Sequence, residues 1–188
     1  DLDKINAGAD NWKEHIDNYQ IDTIVIPQIY FPFQTPAQEL QNWQLVYIDG
    51  ISRVYAKENI IKNKVFDLSM FHPEIFEKQK FKKEDGQKAL KSLDKLLSTD
   101  PQNAFARTQL IESYMENDIQ KAKNLTEESR QLSPNDPYYS LYLVRIYTKL
   151  GQCQKAKDFA QEVKSKSYND FFINMEIKNA LTSCPNTN

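Results

Sequence analysis

From about residue 70 to residue 184, apolar side chains recur at intervals of three and four with polar residues between them, a period that predicts amphipathic helices. Asp100-Pro101 and Ser133-Pro134 stop helices, and Pro137 suits the first turn of the next one. Upstream the pattern changes. TIVIP, residues 23–27, is a continuous β-branched run of the kind buried on both faces of a sheet, and QLVYID (44–49) and SRVYAKE (52–58) read as two further strands. Asp10 can cap a short helix running through Tyr19, and Thr35 can cap a second over Pro36 to Asn42. Strand, helix and strand predict a βαβ unit, and Asp49-Gly50 predicts that the last two strands form an antiparallel hairpin. Three strands are few for a sheet whose first member is central. The expectation is therefore a truncated sheet with a strand upstream of Thr23, or TIVIP at an edge. The fold class that follows is α+β: a small α/β domain over 1–62, then an all-α region over 63–188.

The helical region repeats. Tyr114 and Tyr147, then Ala89, Ala122 and Ala156, then Pro101 and Pro134 all recur at a period of about 33–34 residues. With helix, turn, helix and a closing proline in each period, residues 70–184 resemble the tetratricopeptide repeat family. Leu143, Tyr147, Gly151, Ala156 and Ala160 occupy the family's packing positions in the clearest copy, and Leu110, Tyr114 and Ala122 do so in the copy before, with Asp118 where a glycine is usual. In the first copy the second helix, from Ala89 through Leu93 and Leu96, fits; the first helix, Pro73 to Lys82, departs from the pattern. Asn169 to Ser183 is expected to cap the open end of the array. The resemblance implies stacked hairpins whose first helices line a groove. Its walls would be Phe105, Thr108, Glu112 and Met115, then Tyr138, Leu141, Arg145 and Thr148, with Phe172 and Met175 from the last helix. Aromatics beside isolated charges suit an extended peptide. The basic and asparagine set that relatives use to hold a peptide's terminal carboxylate is replaced by Thr108, Glu112, Leu141 and Tyr142.

A second resemblance covers about a third of the chain. The order W-x3-I-x2-Y-x-I-D-T-I-V-I-P, then E-L-x2-W-x-L-V-Y-x-D, then R-V-Y-A-K resembles the soluble segment after the last membrane span of lipid-linked-sugar glycosyltransferases, bacterial relatives of the dolichyl-phosphate-mannose protein mannosyltransferases. Trp12, Tyr19, Asp22, Pro27, Leu40, Trp43, Val46, Tyr47, Asp49 and Val54 carry it. That family keeps its catalytic acids near its membrane portion, so no catalytic residue is carried over. The resemblance implies an extracytoplasmic domain tethered to a membrane through an upstream segment.

Composition narrows the choices further. With 24 Lys and Arg against 26 Asp and Glu, the net charge of −2 supplies no field for nucleic acid, which is not expected as a partner. His15 and His72 lack ligand-spaced companions, so neither a metal site nor a cofactor is expected. No glycine-rich phosphate loop or G-x-S-x-G elbow is present. Asp22 and Asp49 at strand ends read first as turn and capping residues, with a site carboxylate as the alternative. In the repeat frame Cys153 begins one helix and Cys184 ends the next, antiparallel one, placing both at the same end of the stack. They read either as a disulfide, in keeping with the outward placement implied by the membrane-enzyme resemblance, or as two small thiols at the edge of the core. The leading expectation is a noncatalytic module binding a protein or peptide. The alternatives are a domain that contacts the acceptor or lipid-linked donor in glycosyl transfer, and a free cytoplasmic scaffold.

Overall fold

A computed structural model of the chain describes residues 12–27, 43–61, 83–166 and 170–184. Its elements in order are α1 (Trp12–Asn18), β1 (Thr23–Pro27), β2 (Trp43–Ile48), β3 (Ser52–Lys57), α2 (Lys83–Thr99), α3 (Ala104–Asn117), α4 (Ile119–Leu132), α5 (Pro137–Lys149), α6 (Cys153–Lys166) and α7 (Phe171–Ala180). Internal contacts divide the chain into two units, Asp1–Ala106 and Arg107–Asn188. The expected helices at 36–42 and 73–82, and the expected boundary at 62/63, lie outside the described residues.

In the first unit a three-stranded antiparallel sheet has the order β1-β3-β2. The Asp49-Gly50 turn closes the β2–β3 hairpin as expected: the Asp49 carboxylate accepts from the Ile51 and Ser52 N–H groups at 2.7 and 2.6 Å. The βαβ expectation needs correcting. β1 and β2 run in the same direction, but β3 lies between them and pairs with both. A strand arriving by a tight hairpin takes the place beside β2 that a crossover strand would need. Among the described residues TIVIP pairs on one side, with β3, and it is not covered on both faces: Ile26 is buried while Val25 is 64% exposed. In β2 a bulge between Leu45 and Tyr47 inserts Val46, so Leu45 and Ile48, three residues apart, are both buried.

Asn103 joins the sheet to the start of α3. Its Oδ1 accepts from Ala106 N at 2.9 Å, capping the helix, and its Nδ2 donates to Ile48 O at 2.9 Å and to Asp100 Oδ2 at 3.1 Å. Tyr47 Oη donates to the same Asp100 oxygen at 2.8 Å.

The second unit is helical. Asp118, Asp136 and Asp170 each cap the helix that follows by accepting backbone N–H bonds, and Pro137 sits in the first turn of α5. Helix α5 ends in a Schellman turn: Gly151, at φ +69°, lets Gln152 N reach Tyr147 O and Gly151 N reach Thr148 O, a conformation costly for a residue with a Cβ. α5 is also the centre of the unit. Tyr139, Tyr142 and Ile146 pack with Ile111, Met115 and Ala122 of α3 and α4 on one side. On the other, Leu141, Leu143, Val144 and Tyr147 pack with Ala156, Ala160 and Val163 of α6 and with Ile173 and Ile177 of α7. A helix apolar nearly all round is stable only between neighbours.

The contacts repeat along with the sequence. α5 begins one period after α3, at 137 against 104, and α6 begins one period after α4, at 153 against 119. Lys121 lies over the Tyr114 ring at 5.6 Å, and Lys155 lies over Tyr147 at 5.3 Å. Glu128 accepts from Arg107 at 2.9 Å, and one period later Glu162 accepts from Ser140 at 3.0 Å. Ala122 and Ala156 are both fully buried, where a larger side chain would hold the helices apart.

Candidate functional site

The first turns of α5 and α7 carry large side chains outward. Tyr138 is 57% exposed on α5, and Phe171, Phe172 and Met175 are 73, 71 and 41% exposed on α7. Aspartates fix both turns: Asp136 Oδ1 accepts from Tyr138 N at 2.8 Å, and Asp170 Oδ1 accepts from Phe172 N and Ile173 N at 2.9 and 3.1 Å. Phe171 and Phe172 meet edge to face with centroids 5.8 Å apart. Their helix is held from the other side by Ile173 and Ile177, which are buried against α5, so the exposed rings stand on a packed base.

The ten residues assigned to a groove fall into three groups. Tyr138, Phe172 and Met175 form the exposed apolar set, with Glu112 exposed and Arg145 half-buried on the same helix series. Glu112 and Arg145 converge on one ring: Tyr142 Oη donates to Glu112 at 2.8 Å, and the Arg145 guanidinium lies 5.5 Å from the Tyr142 centroid. Burial, then the bond to Glu112, pushes the Tyr142 phenol well above its ordinary range, so it remains a donor. Met115 and Leu141 are 5 and 7% exposed within the two cores, so they present little surface. Thr108 is half-buried, and Thr148 Oγ1 lies 3.8 Å from Cys184 Sγ, beside the disulfide. Phe105 belongs to the first unit and is half-buried there. No family model matches the chain, and no characterised protein matches it.

A disulfide joins Cys153, the first residue of α6, to Cys184 beyond α7, with their Cα atoms 5.5 Å apart. Among the described residues no cluster of His, Cys, Asp and Glu is arranged to hold a metal, and no helix is long and apolar enough to cross a membrane.

Two polar centres were not anticipated from the sequence. Glu162 receives Arg130 Nη2 at 2.9 and 3.1 Å, Ser140 Oγ at 3.0 Å and Lys166 Nζ at 2.7 Å, tying α4, α5 and α6 together. Burial alone would raise its carboxyl, but the bonds from Lys166, Arg130 and Ser140 outweigh it and hold the group below the usual range. The second centre is Tyr47, Asp49, Asp100 and Asn103. Burial, then the bond to Asp100, raises the Tyr47 phenol; burial opposes but does not outweigh the N–H bonds of Ile51 and Ser52, which lower Asp49. Asp49 is thus a turn residue. Asp22, the other strand-end carboxylate, accepts from the Lys57 backbone N–H through its own carbonyl and lies 3.9 Å from Lys57 Nζ through its side chain. The exposed Phe171 was likewise missed, although an aspartate followed by two phenylalanines at a helix start was a usable signal: first-turn residues there face outward once the third and seventh positions are buried.

Proposed function

We propose that the helical unit is a short tetratricopeptide-like solenoid that binds an extended peptide or protein segment and performs no chemistry of its own. The observation that carries this reading is the pair Tyr138 and Phe172. They lie one repeat period apart, each is the second residue of its helix, and both are more than half exposed on helices packed against one another. Leaving large rings in water costs stability that a monomer recovers by burying them, so rings held out at equivalent positions mark a contact surface. Rigid aromatics lose little entropy on binding, and the Glu112 and Arg145 charges, which meet at the Tyr142 ring, give an extended chain polar partners in addition to apolar anchors.

The same reading makes the chain the soluble extracytoplasmic part of a membrane glycosyltransferase-like protein. The disulfide supports that placement, because such bonds persist in oxidising compartments. The sheet unit belongs to this proposal through its resemblance alone. Selection of binders from a random peptide library, followed by titration against Tyr138→Ala and Phe172→Ala, tests the reading. Each variant should weaken a selected peptide by about tenfold or more, in line with about 2 kcal/mol for a hot-spot aromatic. Peptides bound equally well by both variants would refute it.

A further inference from the structure

A second surface, on the same terminal helix, has a different chemistry. Between the end of α6 and the far half of α7 lies an open cleft of about 410 Å³, within the range of small-ligand sites. Its floor is apolar: Ile177, only 2% exposed, together with Leu181 and the disulfide-bonded Cys184. Its rim is cationic. Lys164 arrives from α6 and Lys178 from α7, with Asn174 and Thr182 as the other polar members and no carboxylate among the described lining residues.

These two lysines differ from others in the unit. Lys121, Lys123, Lys149 and Lys166 each pair with a carboxylate, whereas among the described residues no ion pair or hydrogen bond engages Lys164 or Lys178. Thr182 Oγ1 donates to Asn179 O and one Asn174 amide hydrogen is taken by Asp170 O, so the donors left for a ligand are chiefly the two ammonium groups. Two uncommitted cations from different helices over an apolar floor complement an anion on a greasy stem. A neutral apolar molecule would leave the cations unused, and a bare inorganic ion would leave the floor unused.

We infer that this cleft binds a small amphiphilic anion, a single carboxylate or phosphate on a short apolar chain. The disulfide holds Cys184, and with it Leu181 and Thr182, against the start of α6, so the cleft exists in the oxidised protein. This inference is independent of the peptide-binding face.

Octanoate and octyl phosphate are the probes, titrated into the oxidised chain while the Ile177 and Leu181 methyl resonances are followed. Octanol, octylamine and inorganic phosphate serve as comparisons. Both anionic probes should shift those methyls saturably. An exposed ion pair is worth up to about fivefold, so the Lys164→Ala, Lys178→Ala double variant should bind about tenfold more weakly, and octanol should bind the unaltered chain equally weakly. Raising the salt should erase most of that preference. A preference of octyl phosphate over octanoate would assign the phosphate source, and the reverse order the carboxylate. Equal binding of octanol and the anions, undiminished binding by the double variant, or no shift of either methyl at millimolar probe would each overturn the inference. Both lysines are exposed, so the double variant keeps the fold, and Tyr138→Ala should bind the probes as the unaltered chain does.

Discussion

Glu162→Gln removes the charge at the point where three helices meet. Glu162 accepts from Arg130, Ser140 and Lys166, at distances from 2.7 to 3.1 Å, and its side chain is 24% exposed. A hydrogen bond to a charged group contributes about 1.5–3 kcal/mol when buried, while an exposed ion pair contributes about 0.2–1 kcal/mol. Arg130 and Lys166 are 37 and 31% exposed, so water screens much of their share. The expected loss is about 1–2 kcal/mol at pH 7, or a fall of about 0.5–1 M in the urea midpoint. The pH dependence gives the sharper test. The Glu162 carboxyl titrates lower in the folded chain than in the unfolded one, so its stabilisation is complete above the unfolded value near 4.3 and is lost as pH falls through the lower folded value. Urea melts of both proteins at pH 7 and near pH 2 should differ at the first and coincide at the second. An equal deficit at both values would show that the glutamine acts through packing, and no deficit at pH 7 would show that the three donors gain nothing from the charge.

Ala156→Leu should cost about 1–3 kcal/mol in thermal or urea unfolding, because its Cβ is fully buried between helices; Ala122→Leu, at the equivalent place, should cost a similar amount. Asn103→Ala should cost about 2–3 kcal/mol, combining a lost helix cap with an orphaned Ile48 carbonyl, whereas Asn103→Asp keeps the cap acceptor but sets a second carboxylate beside Asp100 and should recover stability in acid. Cys184→Ser opens a loop spanning 31 residues and should lower stability by about 3–4 kcal/mol, with amide exchange in α7 accelerating most.

The parts of the fold that depend on neighbours in sequence were legible. Pro137 announces a helix start, Asp49-Gly50 announces the hairpin, and the regular recurrence of Tyr114 as Tyr147 and of Ala122 as Ala156 announces contacts that recur. What depends on distant pairing was not. The letters of TIVIP are the same for an edge and a centre, and only the insertion of β3 beside β2 decides which strand it pairs with. A bulge moved the buried set in β2 from a spacing of two to three, which no alternation rule anticipates. α5 has apolar residues on every side, so its period could not say which of Leu141, Tyr142 and Tyr138 would meet solvent; the packing of α3 against one side and α6 and α7 against the other settles it. Glu162 and Arg130 are far apart in the chain and carry no local signature of their meeting.

The proposal that α5 and α7 present a peptide-binding face is tested most directly by mapping a selected peptide onto the isotope-labelled chain. Saturable shifts concentrated at Tyr138, Arg145, Phe172 and Met175, with α4, α6 and the sheet unperturbed, are the predicted result. Shifts confined to α4, α6 or the sheet would contradict it.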